Sequence, residues 1–385
     1  MLPRLPAAML LRLPFRHLAM PIALGGICVF FALQESAFLG PRNLTQLFVE
    51  FSITGTLALG MFMILLTGQI DLSVGSGVGL IGGIAAVLVF QQGWPAPAAM
   101  LAAFAVAAVL WTAMGTLIVR QRIPSFIITL GGLLIFKGLF WLVIQNSTVP
   151  VSRGDQDNLY SLLTTYYLPA RIGLGLALLV LAALALAVWR TRLARLAHGL
   201  PVRPRAIVAA GSFATAAGGV GLVVLCNQFR GVPLTLVILA ATAGVVYFLT
   251  RHTPFGRYLY AIGGNEEAAV LSGIAVNRVM VGAYVLMGVT VALTGFMTTA
   301  YSGASTTTVG DLMELDAIAA CVIGGTALRG GRGSVGGVIV GALIMTALLN
   351  GMTLLAVSPE IKFIARGAVL TIAVWMDIVF GQAKN

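Results

Sequence analysis

Charge is what this 385-residue sequence has least of: 9% of its residues are charged, where a soluble domain carries about 25%. With 59% hydrophobic residues and a mean hydropathy of +1.00, a water-soluble globular protein is excluded. Disorder is excluded too, because it requires low hydrophobicity and dense charge. Histidine and cysteine are equally scarce, at three each. The histidines are isolated, so they form no metal site. Cys28, Cys226 and Cys321 lie in apolar stretches without a CxxC pair and read as small packing residues, not as a disulfide. No HExxH or GxSxG occurs, which removes the usual metal or nucleophile signatures of an intramembrane enzyme. No glycine is followed by lysine, so there is no Walker A loop. A repeated selectivity element of the kind a channel needs is also missing. If ATP drives this protein, a separate chain binds it.

What is present is a series of apolar segments, at approximately 18–39, 45–67, 73–91, 96–119, 124–146, 170–189, 206–226, 232–250, 279–300, 315–328, 334–350 and 363–381. At roughly 20 residues per crossing, twelve crossings take about 240 residues and leave only short connections. The expected fold is an all-α polytopic membrane protein with ten to twelve transmembrane or re-entrant helices. The segment 315–328 is short for a crossing. If it turns back, 334–350 must turn back with it to keep the C-terminus on its side. Gln34-Glu35-Ser36 offers no small-x-small cleavage site, so 18–39 is expected to stay as a first span.

The net charge of +11 is not a nucleic-acid signature, because the basic residues are scattered over short loops. Placing the N-terminus inside puts 16 basic residues in cytoplasmic segments and 5 in outer ones, with Lys137 and Arg366 inside spans. That bias places both termini in the cytoplasm. The organisation is then a cytoplasmic segment 1–17, a transmembrane domain 18–381 with a cytoplasmic loop 251–278, and a tail 382–385.

The polar residues the membrane must tolerate are few. Each would cost roughly 2.5–3.5 kcal/mol at a helix centre on insertion scales. Asp71 and Ser73 lie where the second span gives way to the third, so they are candidates for capping a helix start; Asp71 is equally a candidate for a direct part in transport. Glu314 and Asp316 stand likewise at the head of a short apolar segment. Glu50 lies inside a span and is expected to face the interior, paired or wet. Glu50, Gln69, Asp71, Gln145 and Asn146 are the candidates for lining a path. The 46 glycines, crowded at Gly75–Gly83 and Gly336–Gly341, fit either tight helix packing or helices broken around a path.

The most specific local signal is in the loop. Gly263-Gly264 breaks the chain and Asn265 is a good N-cap. Glu266 and Glu267 occupy the first turn, Ala268 and Ala269 propagate a helix through to Ser272, and Gly273 stops it. A helix of two turns is marginal in water alone, so something should pack on it: either its own bundle or a partner.

The runs GQIDLSVGS, IPSFIITLGGLLIFKG, TPFGRYLYAIGGNEEAAVLSGI, ELDAIAACVIGGTALRGGRGSVGG and the closing NGMTLLAV…IARGAVLTIAVWMD together resemble the permease subunits of bacterial sugar ABC importers. That family includes the ribose and xylose permeases. The resemblance spans roughly 45–381. The region 190–231 and the overall length are most similar to the xylose subgroup. The resemblance implies a pair of permeases in the bacterial inner membrane, served by two cytoplasmic ATPase subunits and a periplasmic sugar-binding protein. ATP and Mg would sit on the partners, and this chain would hold no cofactor and perform no catalysis. It also implies that Gly264, Asn265, Glu266, Glu267, Ala268, Ala269 and Gly273 belong to the segment that meets the ATPase. The competing reading is a secondary carrier driven by an ion gradient, and a further one a structural or lipid-interacting membrane protein.

Overall fold

The computed structural model describes residues 15–154, 157–202 and 204–382. Most of the expected terminal segments 1–17 and 382–385 lies outside them. The described chain is almost wholly helical. Its helices are α1 (Phe15–Gln34), α2 (Pro41–Leu66), α3 (Val74–Phe90), α4 (Ala96–Gln121), α5 (Ser125–Ile144), α6 (Leu159–Thr165), α7 (Ala170–Ala197), α8 (Arg205–Asn227), α9 (Leu234–His252), α10 (Pro254–Gly264), α11 (Glu266–Leu271), α12 (Val276–Ser302), α13 (Met313–Ile323), α14 (Val335–Leu354) and α15 (Pro359–Gln382). Four two-residue strands complete it: β1 (Val149–Pro150), β2 (Tyr167–Leu168), β3 (Val232–Pro233) and β4 (Ala304–Ser305). β1 pairs with β4 and β2 with β3, both antiparallel. The fold is an all-α polytopic membrane protein. Among the described residues, eight helices are long and apolar enough to cross a bilayer, and Met20–Gln34 and Val74–Phe90 are shorter apolar helices.

Each of the twelve apolar segments becomes a helix. Two of these helices, α3 and α13, follow stretches of irregular chain, and the reason is local. α2 ends at Thr67 and at Gly68, which takes a φ of +77°. Residues 69–73 then run without helical structure before α3 starts. Their polar groups are met by side chains. Ile70 N–H donates to Ser125 Oγ at 3.2 Å, and Thr129 Oγ1 donates to Ile70 O at 3.2 Å. The stretch is thus buried in protein, where irregular backbone is tolerated at membrane depth. Asp71 meets Trp111 of α4 ten residues, about 15 Å at 1.5 Å per residue, before that helix ends. α3 therefore starts well inside the bilayer.

α13 repeats the device from the opposite side. After α12, Gly303 turns the chain with a φ of +71°, and residues 303–312 carry only the short β4 before Gly310 and Leu312 (φ +88° and +62°) set up α13. A Cβ at Gly75 would lie 2.6 Å from Gly310 O, and one at Gly310 3.0 Å from Gly79 N. The starts of α3 and α13 thus touch inside the bundle, and the two helices leave toward opposite faces. α14 is a full 20-residue helix, so the alternative in which 334–350 turns back does not apply. Residues 303–323 cross as one broken span, as do 67–90. Among the described residues the passes number twelve, two of them broken.

One face, the near side, carries α10 and α11 together with the connections at 66–72, 120–125 and 324–334. The Phe15 end of α1 is on this side too, with Met20 beside Gly325. By alternation so is the Gln382 end of α15. The arginines at 120–122, 190–195, 251–257, 278 and 329–332 all fall on the near side. Both strand pairs and α6 lie on the far side, where Tyr160 Oη donates to Gly82 O at 2.8 Å.

The core sits in α2, α3 and α12, with α4, α13 and α14 around them. Close approach at glycine makes this packing: a Cβ on Gly295 would lie 2.7 Å from Val78 O, and one on Gly79 2.7 Å from Phe140 Cε1. With no solvent to drive helices together, such backbone proximity supplies the contact energy.

Candidate transport site and coupling surface

On the near side the chain between α9 and α12 folds into two short helices. Thr253 caps α10, accepting from Gly256 N–H at 3.4 Å, and Pro254 occupies the first turn where a missing N–H costs nothing. Gly256, Leu259 and Ile262 are buried. Tyr260 Oη donates to Gly333 O at 3.1 Å, and burial pushes its pKa up, which keeps the phenol a donor. Gly263 is the tightest point. A Cβ there would collide with Leu66 O and come within 2.9 Å of Gly330 Cα, while Gly331 N–H donates to that same Leu66 carbonyl at 3.0 Å. α10 is thereby fixed to the near-side roots of both broken spans: Leu66–Gly68 leads into α3, and 324–333 leads out of α13.

Gly263 and Gly264 close α10, and the break falls after them at Asn265, whose backbone is extended. Asn265 Oδ1 accepts from Ala268 N–H at 2.9 Å, with Glu266 and Glu267 in the first turn. Ser272 Oγ donates to Ala268 O at 2.8 Å, and Gly273 ends the helix with a φ of +79°. In α11 only Ala269 is buried; Leu271 is 88% exposed and Val270 56%. The helix is held at its ends and presents an apolar tip outward. Beside it lies a groove of about 910 Å³, which brings Asn265, Glu266 and Glu267 together with Gln69, Arg122 and Asn277. Gln69, a path candidate by sequence, belongs to this groove.

The other candidates are dispersed. Asp71 is wholly buried. It accepts from Ser73 N–H at 2.9 Å, Ser73 Oγ at 2.6 Å and Trp111 Nε1 at 2.9 Å. Ser73 stands at the N-cap of α3 but makes no cap bond, because its hydroxyl donates to Asp71. Glu314 and Asp316 do not cap α13 either, which has no side-chain cap. Glu314 is turned to Gly75, and Asp316 Oδ1 lies 3.0 Å from Arg366 Nε of α15. Both carboxylates sit past the N-cap, with their side chains directed at neighbouring helices. Glu50 is paired: Tyr301 Oη donates to it at 2.8 Å and Asn350 Nδ2 at 3.2 Å, with Gln46 Nε2 donating to Tyr301 at 2.9 Å. Gln145 and Asn146 form the left-handed end of α5 on the far side, both exposed.

Two features were not anticipated. One is α10, whose signal was the Thr253-Pro254 pair, a cap followed by an N1 proline. The other is a polar ledge on the outside of the bundle. Lys137, in the far half of α5, forms an ion pair with Asp311 and donates to Thr307 O at 2.7 Å. Its Nζ lies 5.6 Å from the Trp141 ring centre. The side chain of Asp311 is 49% exposed. A charge at this depth facing hydrocarbon is unfavourable, so the ledge must face water or protein. Asp311 carried no recognisable signal, since it lies in a polar stretch that reads as an ordinary loop.

The family described as branched-chain amino acid transport system / permease component matches residues 43–374. The chain is 39% identical over 356 residues to the xylose transport system permease protein XylH of Escherichia coli, covering 92% of this chain and 90% of that protein. It is 38% identical over 363 residues to the XylH protein of Haemophilus influenzae, covering 93% and 95%. The ribose import permease protein RbsC of Escherichia coli is 32% identical over 336 residues, covering 87% and 85%. No solved structure matches.

Proposed function

From the premise that the chain belongs to this permease family, within which it is a sugar ABC importer permease, we propose that it moves a pentose of the xylose type through the bacterial inner membrane, with its near side in the cytoplasm. ATP and Mg are held by two cytoplasmic ATPase subunits, a periplasmic binding protein delivers the sugar, and a second copy of this chain completes the path. The arginine-rich near-side connections support that orientation. The greater identity to xylose permeases than to a ribose permease supports the sugar class.

The observation that carries the mechanism is the seating of α10. α11 offers the ATPase a capped, outward-pointing knob, and α10 passes any displacement to Leu66 and Gly331 through a contact that admits no side chain at Gly263. Those two points root the broken spans, whose breaks meet inside the bundle at Gly75 and Gly310. Closure of the ATPase pair would favour one arrangement of α3 and α13 over another, which is the differential contact that a switch between two states requires. The Lys137–Asp311 ledge, flanked by Trp141, offers donors, acceptors and an aromatic face to a sugar. The second copy would shield it from lipid.

In proteoliposomes containing the complete complex, Glu267→Lys should leave ATP hydrolysis and membrane insertion in place and reduce sugar uptake at least tenfold. Wild-type uptake by that variant would refute the role of α11. Uptake by wild-type vesicles lacking ATP, abolished by an uncoupler, would replace this reading with an ion-driven carrier.

A further inference from the structure

α7 and α8 form a hairpin that is fastened to the bundle at one end only. On the far side, β2 pairs with β3, Gly173 packs on Val232, and Leu168, Val223, Cys226 and Val232 make a small separate core. Toward the near side the two helices part. Between them, closed on one side by Tyr247 of α9, lies a wedge of about 570 Å³. Its walls are mainly apolar, with Leu181, Leu184 and Val188 from α7 and Ile207 and Val208 from α8 beside the hydroxyls of Ser212 and Thr215, and Arg192 and Arg195 stand at its near-side end. Leu181 and Arg192 are eleven residues apart, about 16 Å along the helix, which is half the roughly 30 Å hydrocarbon thickness. The wedge thus runs from the interface to the membrane middle, the depth of one leaflet.

The charge is one-sided. No carboxylate occurs between Asp157 and Glu266, whereas residues 158–265 contain nine arginines. The helices that build the wedge therefore carry no anion of their own. Its apolar part suits an acyl chain better than water, and a basic pocket between spans selects an anionic headgroup.

We propose that the α7–α8 wedge binds one anionic glycerophospholipid, with an acyl chain against Leu181, Leu184 and Ile207 and its phosphate at Arg192 and Arg195. The lipid supplies packing that the protein does not, since the hairpin's near-side half has few protein neighbours beyond its own two helices. This site is separate from the transport path and does not depend on which sugar is carried.

The test uses the full chain in phosphatidylcholine nanodiscs, titrated with spin-labelled phosphatidylglycerol or phosphatidylcholine and read by the immobilised fraction of label. Wild type should hold phosphatidylglycerol at least tenfold more tightly than phosphatidylcholine. Arg192→Gln with Arg195→Gln should erase that preference. Arg278→Gln, at the near-side start of α12 outside the wedge, should keep it. Gly211 lines the wedge, and a Cβ there would meet nothing within 4 Å; Gly211→Phe should fill the space and expel the lipid with both arginines intact. Equal retention of the two lipids by wild type, or an undiminished preference in the double variant, overturns the proposal. Failure of either lipid to enter, as expected if a second copy filled the wedge, overturns it as well. Should the double variant not reach the membrane, Gly211→Phe decides: phosphatidylglycerol held as in wild type refutes the site.

Discussion

α2 and α7 are both long apolar helices of one membrane protein, yet their surroundings are opposite. The most apolar window of α2 has a mean hydropathy of 1.8 and is 89% buried, whereas that of α7 reaches 2.6 and is 6% buried. The more hydrophobic helix is the exposed one. In water this would be paradoxical. In a bilayer it follows from lipid tails being as apolar as leucine, so that hydrophobicity gives a helix no reason to leave them. α2 is drawn inward by hydroxyls and a carboxylate that need partners, whereas α7 has one hydroxyl, Thr191, which bonds within its own helix, and no carboxylate. Thr45, Ser52 and Thr56 are buried, and Glu50 is bonded to Tyr301 and Asn350.

Glycine itself divides the same way. In α3, a Cβ on any of Gly75, Gly77, Gly79, Gly82 or Gly83 would strike a neighbour. In α8, a Cβ on Gly211, Gly218 or Gly221 would meet nothing within 4 Å. The largest expected effect sharpens this contrast. Gly82→Leu would drive a side chain into Thr299 and to within 2.7 Å of Gly295 O, and should destabilise the bundle by about 3 kcal/mol or prevent its recovery, as overpacking against backbone does. Gly218→Leu should change stability by less than about 0.5 kcal/mol. Unfolding both in detergent checks the pair, and equal sensitivity would break the comparison.

A smaller effect is expected at the buried carboxylate. Asp71→Ala strands Trp111 Nε1 and the Ser73 donors without an acceptor, and should cost about 2–3 kcal/mol. Ser212→Ala in the hairpin should cost under about 0.5 kcal/mol. An effect between these two belongs to the near-side loop, which is peripheral like the hairpin but capped like a soluble helix. Asn265→Ala removes the acceptor for Ala268 N–H and should weaken α11 by about 1 kcal/mol. Faster hydrogen exchange confined to α11, with unchanged global unfolding, is the expected reading.

The twelve apolar stretches and their order were legible in the sequence, because the bilayer imposes a length and a hydropathy that any spanning helix must meet. The cap at Asn265 and the stop at Gly273 were legible for a similar reason: cap chemistry acts within four residues. The roles of Ser73, Glu314 and Asp316 were not. Ser73 stands at a cap position but spends its hydroxyl on Asp71, which Trp111 holds in place. Glu314 and Asp316 lie just inside α13 and turn to groups brought near only by folding: the backbone around Gly75, and Arg366 some fifty residues along the chain. Asp311 was illegible for the same cause, since only the pairing with Lys137 of α5 reveals a polar stretch as part of a broken span.

The sequence alone determined where the apolar segments lie, which connections carry the arginines, and where a short capped helix interrupts them, since each of these is a local balance between side chains and solvent or lipid. Tertiary structure alone decided which apolar helices lie inside, that α3 and α13 meet head to head, and that Gly263 ties a peripheral loop to both. Those outcomes depend on backbone contacts between segments far apart in the chain, and a glycine looks the same in sequence whether it faces a neighbouring carbonyl or lipid.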